Sequence, residues 1–262
     1  MLYVCIPSYN EAPTIGLLLW KIRQTFTAFP REYQLLVADD ASTDATSELL
    51  EPYARVLPLT VLRHAERQGY AASIEALLRL SLERSDRPKR DAAIVMQADF
   101  SHGPAFLPDL VRRLDSGADM VVAEASLTGE ASRARRLLRR FGPWLLRSSV
   151  RAPGVSDVLS GFVALRLVTL RNAVRDYDRL LTIDGCAANA ELIGKTARFA
   201  RRVDTVPVVE RHDLRQRASR VDPFAAALAL WRARSKLRIP HRPPATVPTP
   251  ERRTERPAGV AS

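Results

Sequence analysis

Apolar runs typical of buried strands alternate with amphipathic helical patterns over the first half of the chain, and this alternation narrows the possible folds most. Five short apolar runs predict strands, at 2–7, 33–40, 59–64, 91–99 and 118–125. Four segments with helical spacing lie between them, at 13–28, 42–54, 69–84 and 104–117. Strands joined through helices pair in parallel, so the sequence predicts an α/β fold with a mostly parallel sheet and helices on both faces.

The pattern changes after residue 125. Seven arginines lie among leucines in 133–151, which we predict to be helical. A loop leading into a strand is predicted over 155–166, a helix over 184–200 and a strand over 203–210. Near the C-terminus, Pro, Arg and Thr replace apolar periodicity, which indicates disorder. We therefore predict three parts: a folded domain over 1–221, an amphipathic helix over 222–239 and a Pro/Arg-rich disordered tail over 240–262.

Polar clusters follow three of the predicted strands, at 8–11, 39–44 and 99–102. Ligands of open parallel sheets bind at the carboxyl ends of the strands, so these clusters predict a site. Asp39 and Asp40 can accept hydrogen bonds from a ribose or a base; alternatively, they compensate the dipole of the helix that follows. Asp99 can hold a divalent ion at a diphosphate, or it only caps the end of its strand.

Several classes of site are disfavoured by what the sequence lacks. It contains no GxGxxG after the first strand, no GxxxxGK[ST], no GxSxG and no Cys/His cluster with zinc spacing. The net charge of +11 and the pI of about 10.4 favour an anionic partner, or reflect only a basic surface. Because the cations are not interleaved with stacking aromatic residues, we expect no nucleic-acid partner.

The cysteine content and the two ends of the chain suggest its compartment. Cys5 and Cys186 lie in apolar surroundings and are too few for a disulfide framework, so we expect reduced thiols in the cytoplasm. No basic leader precedes an apolar stretch at the N-terminus. The longest late apolar run, at 224–231, is too short to span a bilayer.

A series of motifs matches a known family. In chain order they are VCIPSYNEAPTI (4–15), LLVADDASTDAT (35–46), RHAERQGYAAS (63–73), VMQADFSHGP (95–104), DVLSGF (157–162) and the helix that carries Glu191. In these motifs the chain resembles the inverting glycosyltransferases of family 2, and within them the polyprenyl-phosphate (dolichol-phosphate) mannosyltransferases. The resemblance covers about residues 2–220 and implies a GT-A fold, which has a Rossmann-like nucleotide-binding sheet.

The resemblance also implies roles for individual residues. The nucleotide-binding set is Pro7, Tyr9, Glu11, Asp39, Asp40, Arg67, Gln97 and Asp99. The residues implied beside the reacting sugar and the lipid phosphate are Arg135, Arg140, Asp157, Ser160 and Gly161. The implied cofactor is Mg²⁺ or Mn²⁺, with Asp99, the second aspartate of the family's DxD motif, and Ser101 as its protein ligands.

The chain departs from the family pattern at four places. Gln97 replaces the first DxD aspartate, Ala125 and Val163 stand where arginines are usual, and RHDLRQRASR (211–220) only approximates the family's late Arg-x-x-Gly-x-Ser-Lys pattern. Magnesium commonly uses one or two carboxylates and completes its shell with water and substrate phosphates. Asp99, Ser101 and a donor diphosphate can therefore suffice. Gln97 can still bond a ribose hydroxyl or a metal-bound water.

The expected reaction is transfer of a sugar, mannose or glucose, from GDP-mannose or UDP-glucose to a polyprenyl phosphate with inversion. Two alternatives remain open. A saccharide or other hydroxyl acceptor needs a general base, for which Asp157 is the candidate. A decayed site would instead make the chain a non-catalytic nucleotide-sugar-binding protein.

A lipid acceptor requires contact with a bilayer, and two segments are suited to it. The arginines of 133–151 can bind anionic headgroups at the inner face of the membrane. Residues 222–238 place Phe224, Leu228 and Trp231 near one helical face, followed by cations, as in an interfacial helix. The alternative is that Phe224 and Trp231 pack on the catalytic domain.

Overall fold

The fold is seen in a computed structural model that describes residues 1–126, 146, 149–209, 228, 230–232, 234, 237 and 239. Most of 133–151, including Arg135 and Arg140, lies outside these residues, as does all of 240–262. The strands are β1 (Leu2–Ser8), β2 (Tyr33–Asp39), β3 (Leu59–Arg63), β4 (Ala92–Val95), β5 (Met120–Ser126), β6 (Val163–Arg166) and β7 (Val203–Val209). The helices are α1 (Ala12–Ala28), α2 (Thr46–Val56), α3 (Tyr70–Arg84), α4 (Leu107–Asp115), α5 (Leu167–Asp176) and α6 (Ala187–Ala197).

The described strands form one sheet in the order β3-β2-β1-β4-β6-β5-β7. β1 pairs in parallel with β2 and β4, and every β1 residue is buried. Its side chains alternate between two cores: Val4 and Ile6 pack with α1, α2 and α4, whereas Tyr3 and Cys5 pack with α3, α5 and α6. Burial on both faces explains why these strands are continuously apolar, and the predicted α/β fold with helices on both faces is confirmed.

β6 is the exception to the parallel order, because it runs antiparallel to both β4 and β5. Val163 at the start of β6 therefore pairs with Val95 at the end of β4. The sequence predicted this strand but not its direction. As a result, the turn that leads into β6 lies at the same edge of the sheet as the carboxyl ends of β1, β2 and β4.

Two predicted boundaries differ most from the structure, and one helix was not predicted. The strand predicted over 91–99 ends at Val95: Met96 still donates its N–H to Cys5, but the chain then turns at Phe100, whose φ is 60°. The helix predicted over 42–54 begins only at Thr46. α5 was missed because its buried face holds only a few side chains, Leu167, Thr169, Leu170 and Ala173, among polar ones.

The described residues near the C-terminus pack on the sheet domain through α6. Leu230 and Leu237 are buried against Val150, Val158 and Ala190. Trp231, in contrast, is 62% exposed and Leu228 is 47% exposed. Trp231 therefore does not pack in the core, while Phe224 lies outside the described residues. Among the residues that the structure covers, no helix is both long and apolar enough to cross a membrane.

Candidate functional site

The loops that follow β1 and β2 are joined by hydrogen bonds at the carboxyl edge of the sheet. The Asn10 N–H donates to Ser42 Oγ at 2.9 Å, and the Thr43 N–H donates to Asn10 Oδ1 at 2.7 Å. The Glu11 N–H donates to Thr46 Oγ1 at 2.9 Å. The predicted polar clusters at 8–11 and 39–44 are therefore joined into one hydrogen-bonded surface.

Asp40 is held by the loop between β3 and α3. Its carboxylate accepts the N–H groups of Gln68 at 2.7 Å and Gly69 at 2.9 Å, and His64 Nδ1 lies 2.8 Å away. The Asp40 side chain is only 5% exposed. In this structure Asp40 fixes the 64–69 loop, so its direct contact with a base or ribose stays a prediction. Asp39 similarly accepts the Ser42 N–H at 3.1 Å and the Ser47 hydroxyl.

The side chains of Tyr9 and Arg67 contact each other beside the loops that follow β1 and β2. The Arg67 guanidinium lies 4.1 Å from the centre of the Tyr9 ring, a cation–π contact, and Arg67 is exposed. Pro7 and Glu11 are buried on either side of Tyr9 in the chain. Arg67 belongs to the 64–69 loop that Asp40 holds, so this contact places the Tyr9 ring beside that loop.

The loop after β4 carries the predicted metal ligands. Asp99 is buried, at 7% exposure, and its Oδ1 accepts the Ser101 N–H at 2.9 Å. His102, also buried, packs its ring 5.3 Å from that of Phe162. The described residues contain no group of three or more His, Cys, Asp or Glu that could hold a metal ion. Asp99 and Ser101 supply hard oxygen atoms that suit Mg²⁺ or Mn²⁺ only together with a substrate phosphate.

The loop that leads into β6 closes the other side of this edge. The Glu124 carboxylate accepts the N–H groups of Ser156 and Asp157, and Asp157 Oδ1 accepts that of Leu159 at 3.1 Å. Ser160 is buried; its hydroxyl donates to the Ala123 carbonyl at 2.6 Å and accepts the N–H of Phe162. Ser160 therefore shapes the turn, and Asp157 is the half-exposed carboxylate of this loop.

Two neutral side chains, Tyr70 and Asn189, join α3 to the Asp157 loop. The Tyr70 hydroxyl donates to Asn189 Oδ1 at 2.9 Å. Asn189 Nδ2 in turn donates to the carbonyl of Leu159 at 3.1 Å. Gln97 Nε2 lies against the turn before β6, 2.5 Å from where a Cβ on Gly161 would be. The sequence places Tyr70 in the RHAERQGYAAS motif but gives no sign of its contact with Asn189, because the two residues are 119 positions apart.

The segment between α5 and α6 is held by two carboxylates, the buried Glu191 and the partly buried Glu75. Glu191 accepts the N–H groups of Thr182 and Ile183 at 2.7 and 3.1 Å, and Lys195 Nζ lies 2.7 Å from its Oε1. Glu75 on α3 accepts the N–H groups of the preceding residues, 180 and 181. Burial opposes ionisation of Glu75, but hydrogen bonds from that backbone and from an arginine outweigh it and hold its pKa below the ordinary value.

Comparison with known proteins agrees with this arrangement. The model of "Glycosyl transferase family 2" matches residues 3–176, which is more than half of the chain. The chain belongs to glycosyltransferase family 2. The family predicted from the motifs is thus confirmed, and so is the GT-A fold.

Curated family 2 relatives are similar at modest identity. The dolichol-phosphate mannosyltransferase of Pyrococcus furiosus is 27% identical over 168 residues, covering 62% of this chain and 45% of the relative. The polyprenol monophosphomannose synthase of Mycolicibacterium smegmatis is 28% identical, with 62% and 60% covered. The bactoprenol glucosyl transferase of Shigella phage SfV is 26% identical, with 69% and 56% covered. The chain spans about half the length of the curated relatives it matches.

Solved structures share the fold at lower identity. Glucosyl-3-phosphoglycerate synthase from Mycobacterium tuberculosis, in complex with phosphoglyceric acid, has a TM-score of 0.60 and 20% identity. The comparison covers 90% of this family 2 chain and 78% of the other. TarS 1-349 from S. aureus, in complex with UDP, has a TM-score of 0.55 and 18% identity, covering 87% and 62%.

Proposed function

We propose that this family 2 chain transfers a hexosyl group, mannose or glucose, from a nucleotide-sugar to a polyprenyl phosphate with inversion. The observation that carries the proposal is the convergence of the Asp40, Asp99 and Asp157 loops at one edge of a family 2 sheet. The acceptor class is supported by the names of the relatives, which refer to dolichol phosphate, polyprenol and bactoprenol.

In the proposed site the base of the donor stacks at Tyr9 and Arg67, and the loop fixed by Asp40 borders the ribose. An aromatic ring and a guanidinium both favour contact with a planar base. A structural neighbour is described with UDP, which supports a nucleoside diphosphate without choosing between GDP-mannose and UDP-glucose. Gln97 is proposed to bond a ribose hydroxyl or a metal-bound water.

The donor diphosphate lies, in this proposal, against Asp99 and Ser101. Support for a divalent ion comes from the M. tuberculosis synthase, which has been solved with Mn²⁺ and UDP. Asp99 and Ser101 would hold the ion, which when bound neutralises charge on the leaving diphosphate. Because Asp99 is buried, water screens the charge of its carboxylate less than at the surface.

The reaction needs few proton transfers. An oxygen of the lipid phosphate attacks the anomeric carbon on the face opposite the diphosphate. The bond from that carbon to the diphosphate oxygen breaks, and its electron pair leaves with the nucleoside diphosphate. Because a phosphate is already anionic, no general base is required. Arg135 and Arg140 are proposed to bind the acceptor phosphate, as arginine pairs well with phosphate oxygens.

One observation favours a second candidate, a hydroxyl acceptor. The Glu124 carboxylate accepts the backbone N–H of Asp157 at the loop beside β6, and Asp157 itself is half-exposed. A hydroxyl acceptor must lose its proton during attack, and Asp157 can take it. Transfer to a lipid phosphate does not need this carboxylate as a base. An assay that compares lipid-phosphate and hydroxyl acceptors therefore also decides whether Asp157 acts as a base.

The experiment that tests the function uses labelled GDP-mannose and UDP-glucose with Mn²⁺, each with polyprenyl phosphate in detergent, a soluble saccharide or water alone. We expect label in the lipid fraction, and a loss of at least tenfold with EDTA, because the ion stabilises the leaving group by several kcal/mol. Label in the saccharide supports the hydroxyl acceptor. Nucleotide binding without turnover indicates a binding protein, and the absence of both refutes the proposed site.

The same proposal predicts contact with an anionic membrane face. Leu228 and Trp231 are exposed beside the exposed Arg232 and Arg234, on a segment anchored by the buried Leu230. We expect the protein to sediment with anionic vesicles at low salt and to be released at high salt, because headgroup attraction is screened. Trp231→Ala should weaken binding about tenfold, since an interfacial Trp buries a large apolar area.

Trp20→Ala is the matched control for this prediction. Trp20 is also exposed, at 45%, but it lies on α1, away from the acceptor loop. Equal losses for the two Trp variants would show non-specific adsorption. A wild-type protein that stays in the supernatant at low salt would contradict the membrane contact itself.

A further inference from the structure

Helix α3 begins without a cap from its own sequence. The residue that precedes it is Gly69, which has no side chain, and no acidic residue lies in the first turn of the helix. The first N–H groups of a helix have no acceptor within the helix, and the positive end of its dipole favours negative charge. The 64–69 loop leads directly into this end of α3, so the groups that cap the helix also border the proposed donor site.

Two carboxylates from distant parts of the chain supply the missing acceptors. Asp40 accepts the N–H of Gly69 at 2.9 Å, and Asp184 Oδ1 accepts the N–H of Ala71, also at 2.9 Å. Asp184 is 113 residues from Ala71 in the chain and belongs to the segment between α5 and α6. The start of α3 is therefore held by one carboxylate at the end of β2 and by another in the α5–α6 segment.

Gly69 leaves the space that Asp184 needs to approach the helix. A Cβ on Gly69 would lie 2.8 Å from Asp184 Oδ2 and 3.1 Å from its Cγ, which is closer than side-chain atoms pack. The φ of Gly69 is 95°, a positive value that glycine adopts readily. The absence of a side chain thus lets the carboxylate reach past Gly69 to the N–H of Ala71.

The backbone that carries Asp184 is itself fixed by side chains. The four N–H groups that precede it, at 180–183, are accepted in pairs by Glu75 and Glu191. Glu75 belongs to α3, so this helix holds the segment that in turn caps its N-terminus. These reciprocal contacts tie the position of the Asp184 carboxylate to that of α3.

We propose that Asp184 is a positioning residue for the nucleotide, because its cap on α3 holds the 64–69 loop against Tyr9. The inference rests on the proposed function, in which the base of the donor stacks at Tyr9 and Arg67. Arg67 lies two residues before Gly69, and its guanidinium is 4.1 Å from the centre of the Tyr9 ring. If the start of α3 is not held, Arg67 shifts with it. The donor must then order this loop when it binds, which weakens its affinity.

Hydrogen exchange of the ligand-free protein, resolved for single amides, is the first test. In Asp184→Ala we expect the amides of Gln68 and Gly69 to exchange about five- to tenfold faster, because one hydrogen bond that holds the start of α3 is lost. Both amides donate to Asp40 and keep this acceptor in the variant, so their faster exchange reports movement of the loop. Unchanged exchange at both amides in a folded Asp184→Ala protein would overturn the proposal.

Nucleotide affinity separates positioning from a purely structural cap. In calorimetric titrations with UDP and GDP in the presence of Mn²⁺, Asp184→Ala should weaken the affinity about five- to tenfold. Asp184→Asn should stay within about twofold of wild type, because its amide oxygen can still accept the N–H of Ala71. In turnover, Asp184→Ala should raise KM for the donor and leave kcat within about twofold. Equal losses of affinity in the two Asp184 variants would show that the cap is not what matters.

Asp176→Ala is the matched control for these measurements. Asp176 is an exposed aspartate at the end of α5, where it pairs with Arg198. Its removal should change neither the exchange of the 64–69 loop nor the nucleotide affinity. If Asp176→Ala has the same effects as Asp184→Ala, the loss of any surface carboxylate produces them and the proposal fails.

The close approach at Gly69 gives an independent test of the geometry. A methyl group there would displace the Asp184 carboxylate, so Gly69→Ala should also weaken nucleotide affinity. Added to Asp184→Ala, it should cost less than it does in the wild type, because the carboxylate that it displaces is already gone. Additive losses would contradict the contact and overturn the proposal. A wild type that binds neither UDP nor GDP overturns the proposed nucleotide site, and the exchange of Gln68 and Gly69 then decides whether Asp184 holds the loop.

Discussion

Asp99→Asn is expected to lower sugar transfer by about 10²- to 10³-fold, which corresponds to the several kcal/mol that a bound metal contributes to a charged transition state. The substitution keeps the shape of a side chain that is 7% exposed and removes only its charge. The amide oxygen can still accept the Ser101 N–H. Calorimetric titration with UDP or GDP, with and without Mn²⁺, measures the loss at the binding step.

The predicted signature of Asp99→Asn is loss of metal dependence. Nucleotide affinity in the variant should match that of the wild-type protein treated with EDTA, because the described residues offer no cluster of metal ligands to replace Asp99. Asp109→Asn on α4 is the control, since Asp109 is exposed and pairs only with Arg112 in the hydrogen bonds that the structure shows. A folded Asp99→Asn protein that keeps its Mn²⁺-dependent affinity would reduce Asp99 to a structural cap.

Glu191→Ala is expected to lower the free energy of unfolding by about 3–5 kcal/mol, the usual cost of removing one partner of a buried ion pair. Glu191 and Lys195 are 4% and 10% exposed. Without the carboxylate, the ammonium of Lys195 and the N–H groups of Thr182 and Ile183 lose an acceptor in the interior. Urea unfolding at neutral pH measures the change.

A double substitution shows whether the loss comes from the charge left behind. Glu191→Leu with Lys195→Met removes both charges, and should recover part of the stability lost by Glu191→Ala. Asp109→Ala, which breaks an exposed pair, is expected to cost less than about 1 kcal/mol. If Glu191→Ala costs no more than Asp109→Ala, the segment between α5 and α6 does not depend on this pair.

The sequence predicted the parallel half of the sheet well, for a physical reason. Strands buried on both faces, such as β1 and β2, must be apolar along their whole length, and the helices between them need one apolar face. The carboxyl ends of such strands share an edge, so the sequence alone was enough to predict that Asp40 and Asp99 lie at the same edge of the sheet. Parallel pairing brings these ends together, and no contact between distant side chains had to be inferred.

What the sequence could not supply depends on contacts between distant segments. The direction of β6 is set by its neighbours in the sheet. The sequence of its four residues, Val163–Arg166, does not distinguish parallel from antiparallel pairing. Tyr70 and Asn189 meet only because α3 and α6 pack on the same face. The burial of the Ser160 hydroxyl against Ala123 likewise follows from strand pairing. Arg135 and Arg140, which rest on the family resemblance, lie outside the described residues.

The antiparallel strand β6 also has a consequence for how the chain folds during synthesis. β1 to β4 can pair as soon as they leave the ribosome, but the described partners of β5 are β6 and β7, both made later. β6 fills the place between β4 and β5, so one edge of β4 stays open until residues 163–166 have emerged. An open strand edge can pair with another chain. The pairing of β6 with β4 joins segments far apart in the sequence, and pairing of this kind is slow. The half that carries Asp40 thus forms first, and the period before β6 arrives is when the nascent protein is most prone to aggregate.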